Sequence, residues 1–591
     1  MSEQEVKLNV PPAARAGVAR DMQRGDARGI HLHAMYFDTP TRELAKARIA
    51  LRLRLEGDVW VQTLKTPGAD AITRVEMNHD RPGPILDLSV YAGTAVEAAL
   101  TNVQGELGLR YETDVQRVVR KVRGRQGSVE LAYDIGEIRA GGFVLPISEL
   151  EFELVSGRVG AIFETARTWL QRHGLVMDAR SKSERGDALA ALAADLDHTP
   201  GVPADADAKL HAKRSARIAE FWGVRGMEGV KLESAMTTGQ ALAAISAECL
   251  DQVTRNAAML ADVDTAGALL DETNPTYVHQ LRVGVRRLRS AWKLFTGLAV
   301  LPPTALQDDV KQHFGSFGAN RDRDVQDATV LPLLRDAGMP ELPPAPAVGE
   351  DDSATLARSK SFQALLLALL EWTVTPQPAL KVELPAAQAL PLATDAANAA
   401  AEAAAVAAGS SATPPASAQD VSSTGDVPAA QAAGSFGTVG TAQGASTHVV
   451  PTIIPLTPVA DIPSLDSILL TRLRLWHKQI TKRGRIFTSL DIEKKHALRK
   501  KVKQLRYGLA FSESLLPAAR LRAYRKHLSV VQDLLGEFND LAVAHETYKA
   551  RTADHGEAWF AVGWLHARQN VLVAQAQDAF QDLAKAPGFW K

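Results

Sequence analysis

The 591-residue chain is poor in cysteine, in long apolar runs and in net charge. Its single cysteine, Cys249, excludes an intrachain disulfide framework and a cysteine-cluster zinc site. No uncharged apolar stretch is long enough to span a bilayer, and the first residues are charged and polar, without an apolar signal core. A cytoplasmic protein with no membrane partner is therefore expected. Lys+Arg 67 against Asp+Glu 68 leaves a net charge of −1, so partners must be sought in the placement of charge, not in its sum. What is there is ordinary in bulk: 46% apolar and 23% charged residues, as in soluble globular proteins. The length exceeds what one core supports, which predicts two or three domains.

Residues 1–190 show strand-like alternation, whereas 235–373 and 463–591 show helical periodicity, with 191–234 as a linker. Between the helical halves, 374–462 is rich in Ala, Pro, Ser, Thr and Gly and has almost no large apolar residues to bury. Ordering it would cost entropy without return, so a disordered insertion is expected there.

The strand-like part segregates charge by sign. In "SEQEVKLN", Glu3, Glu5 and Lys7 share one face of an extended strand, although like charges side by side repel. "IALRLRLEG" sets Arg52 and Arg54 opposite Leu51, Leu53 and Leu55. "WVQTLKTPG" contributes Lys65, "ITRVEMNHD" Arg74 and Glu76, and "VQRVVRKVRG" Arg117. "VELAYDIGEI" aligns Glu130 with Asp134, and "PISELEFELVSG" aligns Glu149, Glu151 and Glu153 opposite Leu150, Phe152 and Leu154. One polar strand face is usually just solvated. Purely acidic and purely cationic faces over about eight candidate strands instead suit a closed barrel with a liganded interior. Carboxylates suit a hard divalent cation, and Arg and Lys suit phosphate oxygens. Together they imply a highly anionic, phosphorylated ligand.

These segments resemble the CYTH domains, the triphosphate tunnel metalloenzymes. "EQEVK" fits the family's E-x-E-x-K signature, followed in order by "YFDT" (Tyr36–Thr39), "LRLR", "QTLKTPG", "ISELEFEL" and "SKSERG" around Lys182. The resemblance implies an eight-stranded antiparallel barrel whose tunnel holds a triphosphate with Mg²⁺ or Mn²⁺. It implies Glu3, Glu5, Asp134, Glu151 and Glu153 as metal ligands. Lys7, Arg52, Arg54, Lys65, Arg74, Arg117 and Lys182 become catalytic phosphate contacts. Glu76 and Glu149 line the same faces and are left unassigned.

The helical part contains two related segments. "HQLRVGVRRLRSAWKLF" starts at His279 and "HALRKKVKQLRYGLAF" at His496. Aligning the histidines pairs Arg282 with Arg499, Arg286 with Lys503 and Arg289 with Arg506, each row on one helical face. Downstream, "FGANRDRDV" (Gly318, Arg321, Asp322) is matched by "LGEFNDLAV" (Gly536, Asn539, Asp540). An internal duplication into two helical sub-bundles follows. Like charges one turn apart destabilise a helix by roughly 0.2–0.5 kcal/mol per pair. Their presence in both copies points to a polyanion. This half resembles the CHAD family, conserved histidine α-helical domains, which implies inorganic polyphosphate binding by the two rows and association with polyphosphate granules.

The expected protein is thus a multidomain α+β chain: a β-barrel triphosphatase that hydrolyses inorganic triphosphate to pyrophosphate and phosphate, followed by an all-α polyphosphate-binding duplication. The alternative is a non-catalytic, granule-associated binding protein, against which the acidic strands argue. Nucleic acid ranks lower because the rows lack interleaved aromatics for base stacking.

Overall fold

The computed structural model describes residues 2–197, 221, 223–263, 274–317, 329–343, 353–378, 380 and 463–590. Most of the expected insertion, and the first copy's turn at Gly318, Arg321 and Asp322, lie outside the described residues.

The strands are β1 (Ser2–Asn9), β2 (Arg28–Asp38), β3 (Ala50–Glu56), β4 (Val59–Pro67), β5 (Thr73–Arg81), β6 (Gly108–Arg123), β7 (Gly127–Ala140) and β8 (Phe143–Gly157), with a short β9 (Val176–Met177). Their order is β5-β4-β3-β2-β6-β7-β8-β1, and β1 returns to β5 through Ser2↔Val75, Glu3↔Arg74 and Gln4↔Thr73. All pairs are antiparallel, so eight strands close a barrel and leave no exposed edge between β1 and β5. β9 pairs with β1 through Leu8↔Met177.

The barrel is apolar outside and charged inside. Val6, Leu8, Leu131, Tyr133, Leu150 and Phe152 of β1, β7 and β8 are buried, and they share a core with Val18 and Met22 of α1 (Arg15–Met22) and Ile162, Phe163, Ala166 and Leu170 of α2 (Gly160–His173). Leu51 and Leu64 of β3 and β4 are buried with Tyr91, Val96 and Leu100. Burying these faces removes the apolar area from water at roughly 25 cal/mol per Å², and the alternation then obliges Arg52, Arg54, Glu149 and Glu151 to point inward. At one end the inner face turns apolar: Tyr36, Tyr111, Val115, Ile138 and Ile147 pack with Leu189 and Ala190 of α3 (Lys182–Asp197). The α3 helix thus seats in that end of the barrel, and its Gly186 passes directly beside the Tyr111 ring.

The long helices of the helical half are α4 (Thr238–Leu260), α5 (Asn274–Phe295), α6 (Thr304–Ser316), α7 (Lys360–Val374), α8 (Leu465–Gly484), α9 (Ile492–Phe511), α10 (Ala518–Arg551) and α11 (Ala558–Lys585). Thr237 and Gln240 form a reciprocal capping box at the start of α4, and Asp491 caps α9 through the Lys494 N–H at 2.7 Å. Helices α5 and α9, which carry the duplicated rows, pack against each other. The barrel core continues into this bundle, and Arg167 of α2 pairs with Glu371 of α7 at 2.6 Å. Among the described residues no helix is long and apolar enough to cross a membrane.

The seat of α3 generates a prediction. A Cβ on Gly186 would lie 2.3 Å from Tyr111 ring carbons, and that ring is fixed by its hydroxyl, which donates to the Ser183 carbonyl at 3.0 Å. Gly186→Ala should therefore destabilise the protein by about 1–3 kcal/mol through overpacking, read as a lower midpoint in thermal unfolding. An unchanged midpoint would mean that α3 does not sit so close to Tyr111.

Candidate active site

The barrel interior is built level by level from strand register. On β1, β8 and β7 the rows are Glu5↔Glu153↔Glu130, then Lys7↔Glu151↔Ala132, then Asn9↔Glu149↔Asp134. Asp134 in turn faces Arg117 of β6.

Three of these carboxylates converge. One oxygen from each of Asp134, Glu149 and Glu151 lies within 4.8 Å of the others. Arg117 closes the group on one side: Nε donates to Asp134 Oδ1 at 2.7 Å, and Nη2 donates to Asp134 Oδ2 at 2.7 Å and Glu151 Oε2 at 2.6 Å. Lys182, at the start of α3, sends its ammonium into the middle. It lies 2.6 Å from Asp134 Oδ2, donates to Glu151 Oε1 at 2.7 Å and also bonds Glu149. Arg185 Nη1 donates to Glu149 Oε2 at 3.3 Å, and Lys7 Nζ is 3.5 Å from the same oxygen. Burial disfavours the charged forms, yet the opposite charges win. The carboxylates around Lys182 hold its ammonium well above the usual range, and Lys182 and Arg117 hold Glu151 well below its own. Three converging carboxylates supply the hard oxygen donors that Mg²⁺ or Mn²⁺ takes, so these residues fit such an ion.

A second group lies on the β3–β5 wall. Glu76 is buried and bonds Lys65, while Arg52 Nη2 approaches it at 3.6 Å and Lys65 lies 3.7 Å from Glu3. Burial, and a hydrogen bond to Glu76, push Glu3 up to about 7. Lys65 and Arg52 overcome burial at Glu76 and draw it down to about 2. The shared proton therefore resides on Glu3. Arg52 also donates to the Tyr36 hydroxyl at 3.2 Å, and that hydroxyl is in consequence held below the usual phenol range against its own burial. Arg54, paired with Glu56, is lowered to about 10 by burial and by the neighbouring Arg52 and Arg117. Buried Nε atoms of Arg52 and Arg54 have no hydrogen-bond partner.

The predicted residues thus fall into separate places. Asp134 and Glu151 join in one cluster, and Glu149, unassigned from sequence, completes it. Glu3 is held by Glu76 and Lys65, while Glu5 and Glu153 sit in the row next to the cluster, where burial and the charges of Glu130 and Glu5 raise Glu153. Of the predicted phosphate contacts, Arg117 and Lys182 are engaged with carboxylates, and Arg74 turns onto the carbonyls of Ala71 and Thr73 at 3.3 and 2.9 Å. Arg185 was missed, although its spacing of three from Lys182 put both on one helical face.

In the helical half the two rows meet. Lys503 is lowered to about 8 by burial, by Arg499 and by Arg286 of the other copy, with Asp540 acting in the opposite sense. His496 is lowered by burial and by the charges of Arg499 and Lys500, and it hydrogen-bonds Asn539, the residue that departs from the first copy's arginine. Arg289, Arg499 and Lys503 are half-buried, and Arg506 is exposed. Arg282 is buried: its guanidinium lies 4.8 Å from the Phe314 ring centroid and donates to the Phe317 carbonyl at 2.8 Å. Its position on the row misleads, because a helix turn toward α6 covers it. His279 and Arg286 are half-buried on the same helix.

Two known families match this chain. The CYTH domain family matches residues 1–186, and the CHAD domain family matches 244–426 and 428–549, just over half of the chain. An inorganic triphosphatase of Haemophilus influenzae is 31% identical over 196 residues, which cover 32% of this chain and 54% of that protein. The match thus spans about half the length of that curated relative. Among solved structures, the CHAD domain from the plant Ricinus communis is 22% identical, covering 61% of this chain and 96% of that one at a TM-score of 0.36. A Hippeastrum protein classed with adenylyl cyclases, with a dominant triphosphatase activity, is 19% identical and covers 30% of this chain and 92% of its own at a TM-score of 0.24.

The Glu3–Glu76 pair yields a pH prediction. A carboxyl raised in the folded state stabilises it fully below its unfolded value, and the contribution is lost as pH rises through about 7. Glu3→Gln should therefore raise the unfolding midpoint of chelator-treated protein at pH 8 and change it little at pH 5. Equal shifts at both pH values would contradict a proton held on Glu3.

Proposed function

This chain belongs to the CHAD family and carries a CYTH domain ahead of its helical half, and from that premise we propose that it is a metal-dependent inorganic triphosphatase that also binds inorganic polyphosphate. The observation that carries the reading is the closed barrel's interior, where carboxylates converge and the buried Nε atoms of Arg52 and Arg54 have no hydrogen-bond partner. Phosphate binding alone would need only the cations.

Asp134, Glu149 and Glu151 would hold the Mg²⁺ or Mn²⁺ ion, with Glu3, Glu5 and Glu153 as further acidic wall. When bound, the ion supplies Lewis-acid stabilisation of charge on a phosphoryl oxygen. Arg52 and Arg54 bind the non-bridging oxygens of the phosphates, their free Nε–H groups being donors without an acceptor. Tyr36 fixes the guanidinium plane of Arg52. Lys7 and Lys65 add point charges at either side, which stabilise the charge that develops on the leaving pyrophosphate. Arg117 and Lys182 can exchange a carboxylate for a phosphate oxygen as the ligand enters. Arg74 would have to turn from its hairpin carbonyls to reach the substrate.

The helical rows are a second anion site. Arg286, Arg499, Lys503 and Arg506 converge from two copies, with Arg289 on the same helix as Arg286, and a phosphate chain would relieve the repulsion that adds to burial in lowering Lys503. Granule association would follow from the same contact. His279, Arg282 and His496 then serve as supports, Arg282 through its packing on Phe314.

Two experiments test the two sites. With tripolyphosphate and Mg²⁺, Glu151→Gln should cut phosphate release by about a hundredfold or more while thermal stability is kept; release at the wild-type rate would refute the tunnel assignment. At the helical rows, an ammonium lowered to about 8 is lost as pH rises through that value, whereas a polyanion favours it. Long-chain polyphosphate affinity should fall above about pH 8, Lys503→Arg should flatten that fall, and affinity should drop steeply with salt. Binding unaffected by the triple reversal of Arg289, Arg499 and Arg506 to Glu would show the rows to be a solvated surface.

A further inference from the structure

The segment from Met177 to Glu184 runs between the two halves of the protein and is tied to both. Its first anchor is in the helical half: the Met177 N–H donates to the Gln363 Oε1 of α7 at 2.8 Å, and Gln363 is itself buried and fixed by donating to the Ala357 carbonyl at 2.6 Å. The second anchor is Arg255 of α4, whose Nη2 donates to Glu184 Oε2 at 3.0 Å and whose Nη1 bonds the other oxygen. Arg255 is preset for this by Asp251, which accepts from its Nε at 2.7 Å and is held in turn by Arg225 at 3.0 Å. Between the anchors, Lys7 bonds the Arg180 carbonyl, and Lys182 enters the carboxylate cluster.

Lys182 and Glu184 stand two positions apart on α3, about 200° around the helix. One side chain therefore faces the barrel interior and the other faces the bundle. Rolling the first turn of α3 moves both.

We propose that Arg255, a residue of the helical half, is a positioning residue for the tunnel: by gripping Glu184 it keeps the Lys182 ammonium inside the Asp134–Glu149–Glu151 cluster. The cluster carries three negative charges, and Lys182, Arg117, Arg185 and Lys7 already surround it with four positive ones. Lys182 takes one oxygen from each carboxylate, the same donors a divalent ion would use. A metal ion can enter only as Lys182 leaves, and leaving requires the first turn of α3 to roll against the grip of Arg255. The helical half thereby sets how readily the tunnel accepts its metal, and the released ammonium becomes available to a phosphate. This inference rests on the metal-dependent reading of the tunnel, but its test needs no turnover.

The test is calorimetric titration of the intact protein with Mn²⁺ in the absence of any phosphate. Lys182→Met should bind Mn²⁺ about tenfold more tightly than wild type, and Arg255→Ala about three- to fivefold more tightly. Arg255→Lys should lie near wild type, and the exchange Glu184→Arg with Arg255→Glu should restore wild-type affinity, which a purely structural role for Arg255 would not require. Should Arg255→Ala unfold, Glu184→Gln, at an exposed position, replaces it with the same expectation. Wild-type Mn²⁺ affinity in Arg255→Ala or Glu184→Gln would overturn the positioning role, and no gain in Lys182→Met would overturn the competition on which it depends. If Mn²⁺ binds as expected but tripolyphosphate is not hydrolysed, the triphosphatase reading fails and this one stands.

Discussion

Everything in the barrel depends on charge compensation in a space that cannot be empty of it. Packing the apolar faces of β1, β3, β4, β7 and β8 outward drives their alternate residues inward, and those residues are carboxylates, guanidinium groups and lysines. Isolated buried charges would cost several kcal/mol each, and most of the inward acids have a basic neighbour. Arg117 and Lys182 are shared by Asp134 and Glu151, Lys65 is shared by Glu3 and Glu76, and Arg52 spans Glu76 and Tyr36. On the proposed function, such an interior exchanges internal partners for a metal ion and phosphates.

The helical half meets the opposite constraint. Burial, Arg499 of its own copy and Arg286 of the other lower the Lys503 ammonium, with Asp540 as the opposing carboxylate. On the proposed function the two halves take ligands of the same chemistry at different lengths, a short phosphate chain in the tunnel and a long one along the rows. The shared core through α2 and α7, together with the ties at Met177 and Glu184, fixes one half against the other.

Much of this was legible in the sequence because alternation and helical period report directly on which residues share a face. Glu3, Glu5 and Lys7, the Arg52–Arg54 strand and the acidic run at Glu149–Glu153 were all assigned to an interior that register then built. What alternation cannot give is proximity across strands. Glu149 lines its strand as Glu153 does, yet only the pairing Asp134↔Glu149 brings it into the cluster, while Glu153 is paired with Glu5 and Glu130. Arg282 shows the same limit for helices: its place in the row is correct, but α6 buries it against Phe314. The seat of α3 inside the barrel was also hidden, since its signal is the absence of side-chain bulk at Gly186 beside Tyr111, a contact between residues 75 positions apart.

On the proposed function, a divalent ion enters at the cluster held by Lys182. The most direct measurement is an anomalous difference map from crystals of the full chain grown with Mn²⁺ and a non-hydrolysable tripolyphosphate analogue. A manganese peak is expected among the Asp134, Glu149 and Glu151 oxygens, with the Lys182 ammonium moved out of the cluster. A peak beside Glu3, Glu5 and Glu153, with Lys182 still bonded to its three carboxylates, would contradict it.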